Sequence, residues 1–578
     1  MTDNFLIDGA QPNSKKLELP LKIVGSSVFG RYPKISSEKT YNMFISDGWL
    51  VCLGGYQKVA QLQAKGQGRG IFQSIRGNFT IAVIDNNVYK IMPNLSFASI
   101  GNLETTTGEV SIDENLSQQI CIVDGINAYI YNWSVPSGIV LQVPDGIIGT
   151  SLQPNYVCYH DTFFLFGNAR KETNNTKWYA YQADPLGNPN LITYVSDQTF
   201  QVKPDYPLAV KRIPGQSSNV LVFGTTVCEV HTHIGSTDNY RRNSSISIDY
   251  GCLSVDTIAA SDSYLAWLGV NEFNAPVIML FNGQTATPIS TDGIDYLMGT
   301  LRRPDLSTAL FFRQDGHLFY LLTFYYEGTD EDVNGVYDPG DNLTLIYDFD
   351  TQKFFHASDQ NLNFHPARQV AYFNNDLYFV SLDNGSLYRW NSDITAIVDD
   401  IPTYANEPFT LDDNFDPNLV YEMQRIRICD TIRSPKTTPF IAETMYMTID
   451  QGNQPARYVY DCLIIMITES TFPVFPDTRI FSEDPDSVQV VPENAGVEDC
   501  DPTLQLPKIQ TSLSRDGGVT YSNYFDRYLN PTGYRQNIMK WDRLGLANEF
   551  TPKFRFWSLD RFVIGEGVIK LFITGRGD

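Results

Sequence analysis

Short apolar runs rich in β-branched and aromatic residues recur along residues 66–390, each broken by a brief polar turn and followed by a second run ending in Tyr or Phe. One such pair is Ile81-Ala82-Val83-Ile84, a turn at Asn86-Asn87, then Val88-Tyr89-Lys90-Ile91. Others are Ile120-Cys121-Ile122-Val123 with Asp124-Gly125 and Ala128-Tyr129-Ile130-Tyr131, and Val220-Leu221-Val222-Phe223-Gly224 running into Val227-Cys228-Glu229-Val230. Later copies centre on Asn282-Gly283, Asp315-Gly316, and Asn374-Asn375-Asp376 with Asp383-Asn384-Gly385. Asn-Gly and Asp-Gly supply the positive φ of tight hairpin turns, so each pair predicts a β-hairpin. Recurrence every roughly 40 to 50 residues predicts an all-β, irregular β-propeller of about seven blades over 66–394. Sandwiches joined in series fit the uneven spacing as an alternative.

Residues 1–65 read as an extended N-terminal arm with the first strands. Residues 395–420 carry Asp399, Asp400, Pro402, Asp412, Asp413, Asp416 and Pro417 and read as an acidic linker. Beyond it, alternation in Arg425-Ile426-Arg427-Ile428, Met445-Tyr446-Met447-Thr448-Ile449 and Phe554-Arg555-Phe556 predicts a β-sandwich domain over 421–578, interrupted by an acidic exposed loop at 484–502.

With 578 residues and 13 % aromatics the chain has ample material for several cores, which excludes a disordered class. Its net charge of −24 repels phosphate and excludes a protein that grips bare nucleic acid. The charge is uneven: residues 503–578 hold 11 basic and 7 acidic side chains, a net of +4, which leaves −28 for the rest. The basic end suits docking on an acidic neighbour, including another copy. Eight dispersed cysteines without a C-x-x-C read as buried thiols of a protein made in a reducing cytoplasm. No apolar leader opens the sequence, and the run at Leu463 to Ile467 is far too short to span a bilayer, so no membrane anchor is expected.

Candidate chemistry is sparse. Asp330, Asp332, Asn334, Asp338 and Asp341, with Gly335 at the sharp turn, match the spacing of a calcium loop. Asp in the last position, Pro339 and flanking strands favour a solvated acidic hairpin tip instead. His231 and His233 point to one side of a strand and read as a surface pair without a third metal ligand. Lys65-Gly66-Gln67-Gly68-Arg69-Gly70 lacks phosphate-loop spacing and reads as the flexible entry to the first hairpin. Ser514, Asp516, Gly518, Thr520 and Tyr521 fit the Asp-box of sialidases, a fold staple without chemistry of its own. A propeller glycosidase needs several boxes and paired carboxylates, and only this box occurs. No catalytic residue is assigned, and the chain is expected not to be an enzyme; a glycosidase or a glycan-binding adhesin acting on host surface polysaccharide is the alternative.

The same C-terminal residues, with Trp541-Asp542-Arg543-Leu544-Gly545, belong to an ordered set running along the chain: Tyr41-Asn42-Met43-Phe44, Gly54-Gly55-Tyr56, Gly68-Arg69-Gly70-Ile71, Val222-Phe223-Gly224-Thr225-Thr226, Tyr250-Gly251-Cys252 and Phe281-Asn282-Gly283. In this order the sequence resembles the tail hub, or packaged-DNA-stabilisation, proteins of short-tailed phages. The resemblance implies a structural virion protein of the tail: a homo-oligomeric ring, expected as a hexamer, below the portal and adaptor. Such a ring extends the DNA channel, retains packaged DNA without specific binding, and anchors tail fibres, spikes or a needle. No cofactor is expected beyond the calcium candidate. Arg535, Lys540, Arg543, Arg555 and Arg561 are the expected contacts to neighbouring subunits or partners.

Overall fold

In the hairpin at Asp315-Gly316, Gln314 pairs directly with His317, and the two turn residues sit at φ 51° and 88°. These are the values of the two-residue turn that matches strand twist, which only small or locally hydrogen-bonded side chains adopt cheaply. Asn374 and Asn375, at φ 49° and 66°, make the same turn. The local turn chemistry therefore builds the hairpins that the patterning predicts.

The computed structural model describes residues 16–21, 40–135, 138–142, 148, 152–168, 176–235, 239–328, 340–359, 362–382, 384–392, 394, 396–398, 437–445, 456–468, 508–516, 520–528, 536–547, 551–558 and 563–576. It divides into two compact units: residues 58–350 with 363–390, and residues 1–57 with 351–362 and 391–578.

The first unit is the propeller. Four antiparallel four-stranded sheets follow one another: blade one (Gly68–Ser74, Phe79–Ile84, Asn87–Ile91, Phe97–Asn102), blade two (Ser111–Glu114, Gln119–Val123, Ala128–Asn132, Val140–Leu141), blade three (Pro154–His160, Phe163–Asn168, Lys177–Ala183, Ile192–Thr199) and blade four (Ala209–Arg212, Asn219–Phe223, Cys228–His233, Tyr240–Ile248). Blade five begins with two short strands, Gly251–Cys252 and Ala259–Ala260, both paired to Leu265–Val270, and continues through Pro276–Phe281 and Ala286–Pro288. Blade six contributes Thr308–Gln314, His317–Tyr326 and Asp341–Asp348 to this unit. Blade seven holds Ala371–Phe373, Asp376–Val380 and Ser386–Asn391, with the early strand Gly55–Gln61 at its edge. The described residues thus make seven blades, the expected number.

Second strands of the blades are near-continuous apolar runs because a neighbouring blade covers each face. All six residues of Phe79–Ile84 are buried. Phe79, Ile81 and Val83 pack with Ile120, Ile122 and Tyr129 of blade two, while Ala82 and Ile84 turn the other way, onto Tyr378, Val380 and Leu387 of blade seven. That second cluster also takes in Ala60 and Leu62. The ring closes there: the N–H groups of Leu62 and Gln63 donate to the Gly385 carbonyl, each at 3.1 Å. Five cysteines, Cys52, Cys121, Cys158, Cys228 and Cys252, are buried, and burial pushes Cys158 up to about 11.

The second unit consists of two sheets. One runs Met43–Ser46, Trp49–Cys52, Val563–Arg576, Ala456–Thr468, Gln536–Ala547, with Lys16–Leu21 also on Val563–Arg576. The other includes Thr437–Met445, Thr551–Ser558, Lys508–Ser514 and Phe525–Tyr528, with Thr40–Tyr41 and Ala396–Val398 both on Thr437–Met445. Trp541 of the first sheet and Phe554 of the second, both buried, meet with ring centroids 5.6 Å apart, the inner contact of a sandwich. The expected arm at 1–65 is thus not a separate element: its strands at 16–21 and 40–52 are woven into sheets built from the C-terminal region. Of the expected linker, Ala396–Val398 is a strand, while 399–420 and the loop at 484–502 lie outside the described residues.

Candidate functional site

Blades two, five and seven send charged side chains toward one another inside the propeller. Arg368, just before the first strand of blade seven, places Nη1 2.8 Å from Glu109 Oε1, just before the first strand of blade two, and both side chains are largely buried. Gln369 donates from Nε2 to the Val110 carbonyl at 3.2 Å and accepts the Ile71 N–H at 3.3 Å, tying blades seven, two and one together. Asp256, on the short 3-10 turn Val255–Thr257 of blade five, is close enough to feel both charges. Burial, reinforced by Glu109 and opposed by Arg368, pushes its carboxyl up to about 7. Burial likewise raises Glu109 against the pull of Arg368.

Arg69 anchors the rim of this cluster. It is fully buried and donates to the carbonyls of Gly108 at 2.5 Å, Asp85 at 2.8 Å, Thr105 at 2.8 Å and Thr107 at 2.9 Å. Gly70 beside it is a close-approach glycine, since a Cβ there would come within 2.5 Å of Val110 Cγ2. The Gly68-Arg69-Gly70 run is therefore a buried first strand with a bulge, and the reading of it as a flexible entry is corrected. A second cluster joins blades two, three and four: Asp113 accepts the Tyr159 N–H at 2.8 Å, and Lys211 Nζ lies 5.2 Å from the Tyr156 ring centre. Burial raises Asp113, against the opposing charge of Lys211. None of these residues was singled out for such a role from the sequence. Their partners lie tens to hundreds of positions away, and only the paired glycines around Arg69 hint at a tight approach.

The residues that were singled out scatter. Asp330, Asp332, Asn334 and Asp338 lie outside the described residues. Asp341 is buried, and its carboxylate accepts the Arg302 and Arg303 N–H groups at 2.9 and 2.6 Å. His231 is not a surface residue: it is fully buried, 3.1 Å from Glu229 and edge-on to Trp178, because the neighbouring blade covers its strand. His233 contacts Asp161.

In the Asp-box, Asp516 accepts the Thr520 N–H at 2.9 Å and the Ser514 hydroxyl at 2.6 Å, and Arg515 donates to the Leu544 carbonyl at 2.9 Å, so the box is a staple as read. Of the five basic candidates, Arg535 and Arg561 lie outside the described residues. Lys540 is exposed and paired with Asp542 at 2.7 Å. Arg543 is exposed at φ 61°, on a bulge opposite Tyr460 and Cys462. Arg555 lies over the Tyr524 ring at 4.6 Å. Trp541 and Phe554 face inward, so by strand alternation Lys540 and Arg555 point outward from different sheets and do not share one face.

A family model described as bacteriophage P22 Gp10, β-propeller, matches residues 31–326. None of the curated proteins matches the sequence. Among solved structures, a streptogramin B lyase is 9 % identical over 59 % of this chain and 98 % of its own, with a TM-score of 0.37. The WD40 β-propeller domain of Doa1 is 11 % identical over 58 % and 96 %, with a TM-score of 0.34.

Proposed function

The chain belongs to the phage DNA-stabilisation family of β-propellers represented by bacteriophage P22 Gp10, and from that premise we propose that this structural virion protein is a tail hub. Copies form a ring below the portal and adaptor, continue the DNA channel, retain the packaged genome and anchor fibres, spikes or a needle. The observation that carries this reading is the family match over residues 31–326, and the propeller adds a constraint on where DNA can run. A double helix, whose major groove alone is about 12 Å wide, does not pass where Glu109 and Arg368 meet at 2.8 Å. In this reading the conduit for DNA lies between copies, around a ring axis outside any single propeller.

Charge suits such a wall. The part of the chain preceding residue 503 carries −28, which repels phosphate and lets DNA slide, while the basic C-terminal region contacts neighbours through Lys540, Arg543 and Arg555. Particles assembled with Arg543→Glu and Arg555→Glu together, one change on each outer face of the sandwich, are expected to lack the ring; unchanged incorporation contradicts the assignment of these residues to neighbour contacts. A propeller glycosidase is the second reading, favoured by one observation: Asp256, raised to about 7, lies near another carboxylate, Glu109. Turnover of host polysaccharide by the purified chain, abolished by Asp256→Asn, would support it.

A further inference from the structure

We propose that His317, Asp348 and Asp350 in blade six form a binding site for a divalent metal ion of the zinc type. His317 opens the strand His317–Tyr326, Asp348 closes its antiparallel neighbour Asp341–Asp348, and Asp350 follows in the next turn. His317 Nδ1 lies 3.1 Å from both oxygens of Asp348 and 3.5 Å from Asp350 Oδ2. One ligand atom from each of the three side chains falls within a 4.8 Å sphere of mutual distances, the only such group of His, Cys, Asp and Glu among the described residues. Zinc held tetrahedrally at about 2.0–2.1 Å sets its ligands roughly 3.3 Å apart, and the two separations from His317, 3.1 and 3.5 Å, bracket that value.

The Leu318 N–H also lies 3.4 Å from Asp350 Oδ2, which holds that carboxylate toward the ring. A ring Nδ1 carries at most a single hydrogen, yet it faces carboxylate oxygens from two acids. A divalent ion in their midst would meet the ring nitrogen and both carboxylates at once. The groups are also oriented. Asp348 is fully buried, and one of its oxygens accepts the Asp350 N–H at 3.0 Å. The His317 ring stacks on Phe319 at 5.8 Å, and the tight turn at Asp315-Gly316 fixes the backbone just before it. Asp350, at 57 % exposure, leaves one side open to water as a fourth ligand. Bound metal would clamp the middle strands of blade six and stabilise the native chain by mass action.

The test uses the full chain, stripped with a chelator and titrated with zinc chloride in a calorimeter, with thermal unfolding alongside. One saturable equivalent and a raised Tm are expected. Asp350→Asn, at an exposed turn, should keep the fold by circular dichroism and weaken zinc binding at least about tenfold. Asp161→Asn, which removes the carboxylate beside His233, should leave binding unchanged. Zinc binding that is absent from the wild-type chain, unaffected by Asp350→Asn, or weakened equally by Asp161→Asn overturns the proposal.

Discussion

Gln61 donates from Nε2 to the carbonyl of Asn384 at 2.7 Å, fixing a residue from the front of the propeller to its last blade. The Ser386 hydroxyl returns a bond to Gln61 Oε1 at 3.1 Å, and Gly385 between them sits at φ 65° with the Gln63 carbonyl 2.6 Å from where a Cβ would lie. Gly385→Val therefore strains the backbone and pushes the closing strand away. A loss of about 2–4 kcal/mol is expected in urea unfolding; a loss within about 0.5 kcal/mol would mean that closure does not depend on this seam.

Arg368→Met leaves Glu109 buried without its partner, which costs about 3–5 kcal/mol. Replacing both, Glu109→Met with Arg368→Met, removes the charge along with its need and should cost less than the single change. A double-mutant cycle in denaturant checks this, and strict additivity would show that the pair is not coupled.

Asp256 gives the propeller a pH dependence of defined sign. Its carboxyl titrates near 7 in the folded chain and near 3.9 unfolded, so between those values the native state binds more protons. Stability from this group is complete below about pH 4 and is lost as pH rises through about 7. Asp256→Asn, measured against wild type by urea unfolding at pH 5.5 and pH 8, should therefore gain on wild type as pH rises. Parallel curves would show that Glu109 and burial do not hold the proton there.

Asp516→Ala removes the acceptor of the Thr520 N–H and of the Ser514 hydroxyl. A loss of about 1–3 kcal/mol is expected on thermal unfolding of the C-terminal region. The propeller residues should keep their protection in hydrogen exchange, because the box and its partners belong to the sandwich unit.

How much of this was legible follows from where each signal lies. The blades were readable because Asp315-Gly316 and Asn374-Asn375 announce positive φ within two residues, and the runs they join are apolar on both faces. The Thr225-Thr226 segment, one of the motifs that carry the family resemblance, has a physical reason that sequence does not state: the Asp205 carboxylate accepts the N–H groups of Thr225, Thr226 and Val227 at 3.0, 2.7 and 3.1 Å. Long-range partnerships left no local trace. Lys16 pairs with Phe572, and Glu109 meets Arg368 across 259 positions, so neither the woven sandwich nor the charged interior shows in periodicity. His231 and His233, two positions apart, misled because strand alternation gives a common side but not whether a neighbouring blade covers it; for His231 it does.

As proposed, the chain is a ring-forming virion part whose copies surround DNA outside their own propeller axes. Electron cryo-microscopy of intact particles tests it most directly. The account predicts several copies in a closed ring below the portal, with duplex density on the ring axis and none inside any propeller. Particles whose neck lacks the chain, or duplex density threading a single propeller past Glu109 and Arg368, would contradict it.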